Sequence, residues 1–155
     1  MTFGLEDTFE LGTDGPKSIL VGVDDTTTSL RAAAYAAGLA RRQGARLTVV
    51  YVGPLVSMGA SSPGAGDVIA AERQAFDEIA SGLRRRVLDA AKDLGIEMTF
   101  VAIQGDPFHE IKRTADETRA DAVVVGASTK AGHRLIGSLA VRLVRAGRWP
   151  VTVVP

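Results

Sequence analysis

A loop of small residues near the carboxyl end of the chain has the composition that phosphate-binding loops need. Residues 126–138 read GASTKAGHRLIGS and separate the apolar run 123–125 from an apolar-periodic segment that begins near Gly137. Backbone N–H groups can face an anion only where no side chain obstructs them, so glycine and other small residues favour such contacts. A helix that begins at Gly137 and Ser138 would add unpaired N–H groups and the positive end of its dipole.

Polar side chains of the same loop could complete an anion site. Thr129 and Ser138 can donate hydroxyl hydrogens, and Lys130 and Arg134 can supply positive charge. The alternative is that small residues only allow a tight turn across the end of a sheet. A few glycines at unspecific spacing do not decide between these two interpretations.

Apolar runs alternate with helical periods along most of the chain. We predict strands and helices in alternation at 19–23, 30–43, 47–52, 67–94, 98–103, 108–118, 123–125, 137–146 and 151–154. This alternation requires a parallel sheet with helices on both faces. We predict an open five-stranded α/β sheet of Rossmann-like type with strand order 3-2-1-4-5. Ligands of such sheets bind beyond the carboxyl ends of the strands where the order reverses, and Asp24 and Gly126 would both stand there.

Residues typical of helix ends flank the predicted helices. The hydroxyl and carboxylate run 24–29 suits an N-cap, and Gly44 and Gly95 are placed as C-terminal caps. Asp106 is placed to cap the next helix, with Pro107 at its first position. These residues predict where the chain turns between strand and helix.

Composition limits the class of protein. The 155 residues carry no net charge, which argues against a dedicated nucleic-acid binder. No apolar run is long enough for a membrane span, and the N-terminus lacks the pattern of a secretory signal, so a cytoplasmic location is expected. With no cysteine and only two distant histidines, no metal site is predicted. We expect a loose acidic tail at 1–16 and one domain at 17–155.

Several motifs resemble those of the universal stress protein family. These are a first strand ending in Val-Asp at Asp24, the segment LARRQGA at 39–45, a Gly-Asp-Pro turn at 105–107, and Gly126 followed by Gly137-Ser138. The closing segment WPVTVV at 149–154 is similar to the final strand of that family. The resemblance covers about 17–155, with its parts in the expected order around the expected strands.

The resemblance implies a stress-response or signalling protein that is dimeric, as many members are through the last strand, here Val151–Val154, and that binds ATP as some members do, with Mg²⁺ as the accompanying ion. Carried over by position, Gly22 and Asp24 would lie beside the adenosine and Leu47 would contact the base. The residues expected to line the ribose and the phosphates are Val125, Gly126, Ala127, Ser128, Thr129, Gly132, Gly137, Ser138 and Leu139.

The sequence departs from the family pattern within this loop. Thr129 stands where the motif has its second glycine, and the separation from Gly126 to Gly137 is two residues shorter than in the motif. Gly132 could substitute for the missing glycine. An extended chain of two residues spans roughly 7 Å, enough to change which phosphate the loop surrounds. The alternative is therefore a dimerising regulatory module of the same fold that binds no ATP.

Other functions fit the residues less well. Asp24 and Asp25 would suit a phosphoryl-accepting receiver domain, which also needs an acceptor aspartate at the end of its third strand and a lysine near the end of its fifth. Asp106, the candidate acceptor, is explained by helix capping, and no lysine or arginine follows Val151. Residues 26–29 could form a flavodoxin-like phosphate loop, although N-capping of the first helix explains them better. No catalytic residue is predicted: Asp24 and His133 are the candidates for an activating base, and weak ATP hydrolysis remains open.

Overall fold

The computed structural model describes residues 15–56, 62–128 and 137–155, and within these it contains five strands and four helices. The strands are β1 (Ser18–Val23), β2 (Arg46–Gly53), β3 (Met98–Gln104), β4 (Ala122–Gly126) and β5 (Val151–Val154). The helices are α1 (Thr27–Gln43), α2 (Ala65–Leu94), α3 (Pro107–Glu117) and α4 (Ser138–Ala146).

The strands form one parallel sheet in the order β3-β2-β1-β4-β5, which confirms the predicted order. In the register of the central pairs, Leu20 of β1 lies between Thr48 of β2 and Val123 of β4. All four strand pairs are parallel. The carboxyl ends of β1 and β4 therefore lie side by side at the point where the strand order reverses.

Two hydrophobic clusters lie on opposite faces of the sheet. On one face, α1 and α2 cover the sheet, and Ala32, Ala36 and Ala40 of α1 are fully buried. Their spacing of four residues places them on one side of the helix. On the other face, Ile111 of α3 and Leu143 of α4 pack against β1 and β4. Each face of a parallel sheet is thus covered by helices, as its apolar strands require.

The predicted capping residues hold most helix ends. Asp106 accepts a hydrogen bond from the N–H of His109, and Gly44 and Gly95 adopt the left-handed conformation that ends α1 and α2. Helix α1 begins at Thr27, three residues earlier than expected, because Thr26 is its N-cap and accepts from the N–H of Ser29. The hydroxyl run therefore forms the first turn of the helix as well as its cap.

Three parts of the chain lie outside the described residues: 1–14, 57–61 and 129–136. The predicted tail falls mostly on the first of these and stays a prediction. Among the helices that the structure describes, none is long and apolar enough to cross a membrane. No group of three or more histidine, aspartate or glutamate side chains in the described residues could hold a metal ion.

Candidate functional site

A cleft of about 300 Å³ opens at the carboxyl ends of β1 and β4, between the N-termini of α1 and α4. This volume is at the lower end of the range for small-molecule sites, about 300–1,000 Å³. The described lining comprises Gly22, Val23, Asp24, Thr26, Thr28, Ser29, Val50, Val52, Pro107, Ile111, Val125, Gly126, Ala127, Ser128, Gly137, Ser138, Leu139 and Ala140. The predicted crevice is therefore present, and it brings together most of the predicted site residues.

The floor of the cleft is apolar. Val50, Val125 and Ile111 are almost fully buried, and Val52 is half-buried beside them. Gly22 also lies in this floor. Because it has no side chain, it leaves room for Ile111, whose Cδ1 would lie only 2.8 Å from a Cβ at this position. An apolar floor of this kind suits the flat face of an aromatic ring and offers no polar selectivity of its own.

Asp24 and the cap of α1 form one lip of the cleft. Oδ1 of Asp24 accepts from the backbone N–H of Thr26 at 2.8 Å and from the Thr26 hydroxyl. The Ser29 hydroxyl donates to the carbonyl of Asp24 at 2.7 Å and accepts from its N–H. Oδ2 makes no hydrogen bond within the described part of the chain. The carboxylate is held in place through one oxygen, and the other can accept from a ligand.

The start of α4 forms the opposite lip. Gly137 is the N-cap and has no side chain with which to cap the helix, and the first intrahelical bond runs from the N–H of Val141 to the carbonyl of Gly137. The N–H groups of the first turn, from Ser138 to Ala140, are therefore left without intrahelical acceptors. A Cβ on Gly137 would lie 2.9 Å from Cβ of Ser128. Glycine at this position lets the two ends of the loop approach each other.

Gly126 has a different role from the one expected. The sequence suggested that a Cβ there would obstruct a phosphate. In the structure that Cβ would lie 2.8 Å from the carbonyl carbon and oxygen of Thr28 and 2.9 Å from the backbone nitrogen of Ser29. Gly126 therefore allows the end of β4 to pass against the first turn of α1. Its absence of a side chain is needed for the fold before any ligand binds.

Leu47 does not reach the cleft, which corrects the expectation that it contacts a base. It pairs with Ile19 near the amino end of β2, whereas the cleft lies at the carboxyl ends of the strands. Its side chain is 1% exposed and packs in the hydrophobic cluster beneath α1 and α2. The β2 residues that line the cleft are Val50 and Val52. They were missed because sequence position alone does not tell how far along a strand the cleft lies.

Other residues of the cleft were also not predicted. Pro107 and Ile111 enter from α3, and Thr28 and Ser29 enter from the first turn of α1. The Gly-Asp-Pro turn that starts α3 was the available signal, since the helix that connects β3 to β4 begins at the carboxyl end of the sheet, where the crevice lies. Two predicted residues, Thr129 and Gly132, lie outside the described residues.

An ion pair joins α3 to α4 outside the rim. Nη1 of Arg142 lies 3.4 Å from Oδ2 of Asp106, and its guanidinium stacks over the ring of Phe108 at 4.3 Å. The hydrogen bond from the backbone N–H of His109 lowers the pKa of Asp106 most, and the positive charge of Arg142 lowers it further. Asp106 is therefore ionised at neutral pH.

Tyr51 lies on the α1 side of the sheet, near the two acidic residues that follow β1. Burial raises the pKa of its phenol, and the negative charges of Asp25 and Asp24 raise it further. Its ring stacks on Phe76 of α2 with 5.3 Å between centroids. The phenol stays neutral and serves packing between the sheet and α2.

Comparisons with known proteins agree with this geometry. A model of the Universal stress protein family matches residues 16–155. The universal stress protein MJ0531 of Methanocaldococcus jannaschii is 29% identical over 143 residues, which cover 89% of this chain and 81% of the relative.

Solved structures show the same likeness. The universal stress protein UspA of Lactobacillus plantarum is 25% identical with a TM-score of 0.71, over 90% of this chain and 97% of the other. A universal stress protein crystallised in complex with cAMP is 28% identical with a TM-score of 0.66, again over 90% and 97% of the two chains.

Proposed function

This chain belongs to the universal stress protein family, and on that premise we propose that it binds an adenine nucleotide in the cleft at the carboxyl ends of β1 and β4. The ligand that we propose first is ATP, assisted by Mg²⁺. The protein would act as a stress-response or signalling protein whose state depends on the bound nucleotide.

One observation carries the proposal: the N-terminus of α4, whose N-cap is Gly137, opens onto the same cleft as the carboxylate of Asp24. Unpaired N–H groups at a helix N-terminus favour an anion, while Oδ2 of Asp24 favours hydroxyl donors such as those of a ribose. The apolar floor between these lips includes Val50 and Val125. A ligand with a flat ring, hydroxyl groups and a phosphate complements all three regions. The related structure with bound cAMP supports the same ligand class.

The residues would have distinct roles in binding. Gly22, Val50 and Val125 would pack against the base, and Asp24 would accept from the ribose. Ser138 would donate its hydroxyl to a phosphate, together with backbone N–H groups of the first turn of α4. Ala127, Ser128 and Gly137 would shape the backbone around that phosphate, and Leu139 would close the cleft behind it.

We propose that binding proceeds without turnover. Hydrolysis requires a base or a positioned water near the phosphate. Among the described lining residues, Asp24 is the one that carries a carboxylate. Its Oδ1 already accepts from the N–H of Thr26, the N-cap of α1. Its position at the lip opposite α4 suits ribose recognition better than activation of water. The signalling state of the protein would then depend on whether the nucleotide is bound.

We also propose a homodimer in which the two copies of β5 meet. β5 lies at one edge of the sheet and consists of half-buried Val, Thr, Val and Val. An apolar strand edge favours association unless another element covers it. Pairing about a two-fold axis would cover both edges at once.

The competing function is a dimerising module of the same fold that holds no nucleotide, and the shorter loop between Gly126 and Gly137 favours it. Mass spectrometry of the small molecules released from the purified, denatured protein separates the two. We expect a stoichiometric adenine nucleotide. Protein that releases none, and that binds none when nucleotide is added, would support the module instead.

A further inference from the structure

Arg142 of α4 stands beside the rim of the cleft. Its guanidinium contacts Asp106 and stacks on Phe108. Asp106 directly precedes Pro107, which lines the cleft, and Arg142 follows the lining residue Ser138 by four positions along α4. Residues four apart lie on the same side of a helix. The guanidinium is therefore on the side of α4 that carries the Ser138 hydroxyl.

The cleft itself offers an anion no positive side chain within the described residues. Among those lining residues Asp24 alone carries a charged side chain, and its charge is negative. Among the described residues, a phosphate at the N-terminus of α4 would meet N–H groups and hydroxyls but no cation of the lining. A cation at the rim would add both attraction and selectivity for phosphorylated ligands.

The contact between Arg142 and Asp106 is weak enough to exchange. Its 3.4 Å distance is longer than the 2.7–2.9 Å of strong charge-assisted bonds. The Arg142 and Asp106 side chains are 45% and 44% exposed, so water screens the attraction. Asp106 does not depend on the pair, because its other oxygen caps α3 through the N–H of His109. The guanidinium can leave at little cost to the fold.

We propose that Arg142 determines selectivity for phosphorylated ligands: it turns from Asp106 to the phosphate of a bound nucleotide. In the structure the guanidinium lies over the ring of Phe108, 4.3 Å from its centroid, which holds it beside the rim. Asp106 then acts as a competing partner that holds the guanidinium while the cleft is empty. This inference rests on the proposed function, since it concerns the same cleft.

The test compares Arg142→Gln with the wild type in calorimetric titrations with adenosine, AMP and ATP. Loss of a charged hydrogen bond should weaken AMP and ATP about tenfold, and adenosine should bind almost unchanged. Arg145→Gln is the matched control, because it removes the same charge from the last turn of the same helix. It should leave all three affinities as they are. An equal loss for all three ligands in Arg142→Gln would show a purely structural role and overturn the inference.

A second variant should act in the opposite direction. Asp106→Asn keeps a good helix cap and removes the competing charge, so AMP and ATP should bind about two- to threefold more tightly, in line with the small strength of exposed pairs. Adenosine affinity should not change. Unchanged or weaker AMP and ATP binding would overturn the competition. A wild type that binds none of the three ligands overturns the proposed function itself, whereas binding without this selectivity overturns only the role of Arg142.

Discussion

Gly126 at the end of β4 lies so close to Thr28 in the first turn of α1 that a Cβ would stand 2.8 Å from the Thr28 carbonyl oxygen. The neighbouring atoms are backbone and cannot rotate away as a side chain could. The Thr26 cap and the hydrogen bonds between Ser29 and Asp24 hold this first turn of α1 in place. The close approach therefore links the two strand ends that form the cleft.

Gly126→Ala should destabilise the protein. The added methyl group overpacks against backbone, and such changes cost about 1–3 kcal/mol of unfolding free energy. Urea unfolding measures this directly. Gly82→Ala in the middle of α2 is the control, since within the described part of the chain its added Cβ would meet no atom within 4 Å beyond the neighbouring backbone of its own helix. It should stabilise by up to about 1 kcal/mol, because glycine is a poor residue within a helix. Equal stability of Gly126→Ala and wild type would contradict the close contact.

Ser138→Ala should weaken nucleotide binding by about tenfold, the effect of losing a hydrogen bond to a charged group. The side chain lines the cleft at the start of α4. Ser138→Thr retains the hydroxyl and serves as the control. Titration calorimetry of both variants gives the comparison. If Ser138→Ala binds like the wild type, the Ser138 hydroxyl does not hold the phosphate.

Asp106 should make stability sensitive to acid. Its pKa is lowered from the usual 3.8, first by the N–H of His109 and then by Arg142. The folded state therefore holds the proton less tightly than the unfolded state. The carboxylate stabilises the folded state above pH 3.8, and this stabilisation is lost as the pH falls through the lowered pKa. The advantage in unfolding free energy of wild type over Asp106→Asn should therefore decrease as the pH falls from about 5 through the lowered pKa. An advantage that stays the same over this acid range would contradict the assignment.

Val153→Pro should convert the dimer to a monomer. The carbonyls of Pro150 and Val154 accept hydrogen bonds from β4, so by strand alternation the N–H of Val153 points away from the sheet. Proline removes that donor and is tolerated on an edge strand. Light scattering at micromolar concentration reports the mass.

The control for the dimer is Ala102→Pro on β3, the opposite edge strand. The carbonyl of Glu97 accepts from Leu47 of β2, and the same alternation directs the N–H of Ala102 outward. This variant should remain dimeric. A wild type that is monomeric in light scattering, or equal dissociation of both variants, would exclude β5 as the interface.

Much of the fold could be predicted because its signals are local. Apolar runs gave the five strands within one or two residues, and Gly44, Gly95 and Asp106 marked helix ends through their capping chemistry. The start of α1 was placed too late because hydroxyl residues serve both as caps and within a first turn. No local pattern separates these two uses.

The site was less predictable because it depends on distances between elements that are remote in sequence. Leu47 was expected at a base, yet the register of β2 places it in the core and brings Val50 to the cleft. The need for glycine at position 126 was foreseen, but its cause is the backbone of Thr28. A contact between β4 and α1 has no signature in either segment alone.

Titration calorimetry of the wild-type protein with ATP, ADP, AMP and cAMP tests the central claim most directly. A cleft that combines the N-terminus of α4, the Asp24 carboxylate and an apolar floor should bind at least one of these with a Kd well below about 1 mM. The stoichiometry should be one ligand per chain, because each chain carries its own cleft. Prior incubation with Mg²⁺ should leave the ligand unhydrolysed. If none of the four binds below about 1 mM, the cleft is only the meeting point of two strand ends, and the protein is a module that works without nucleotide.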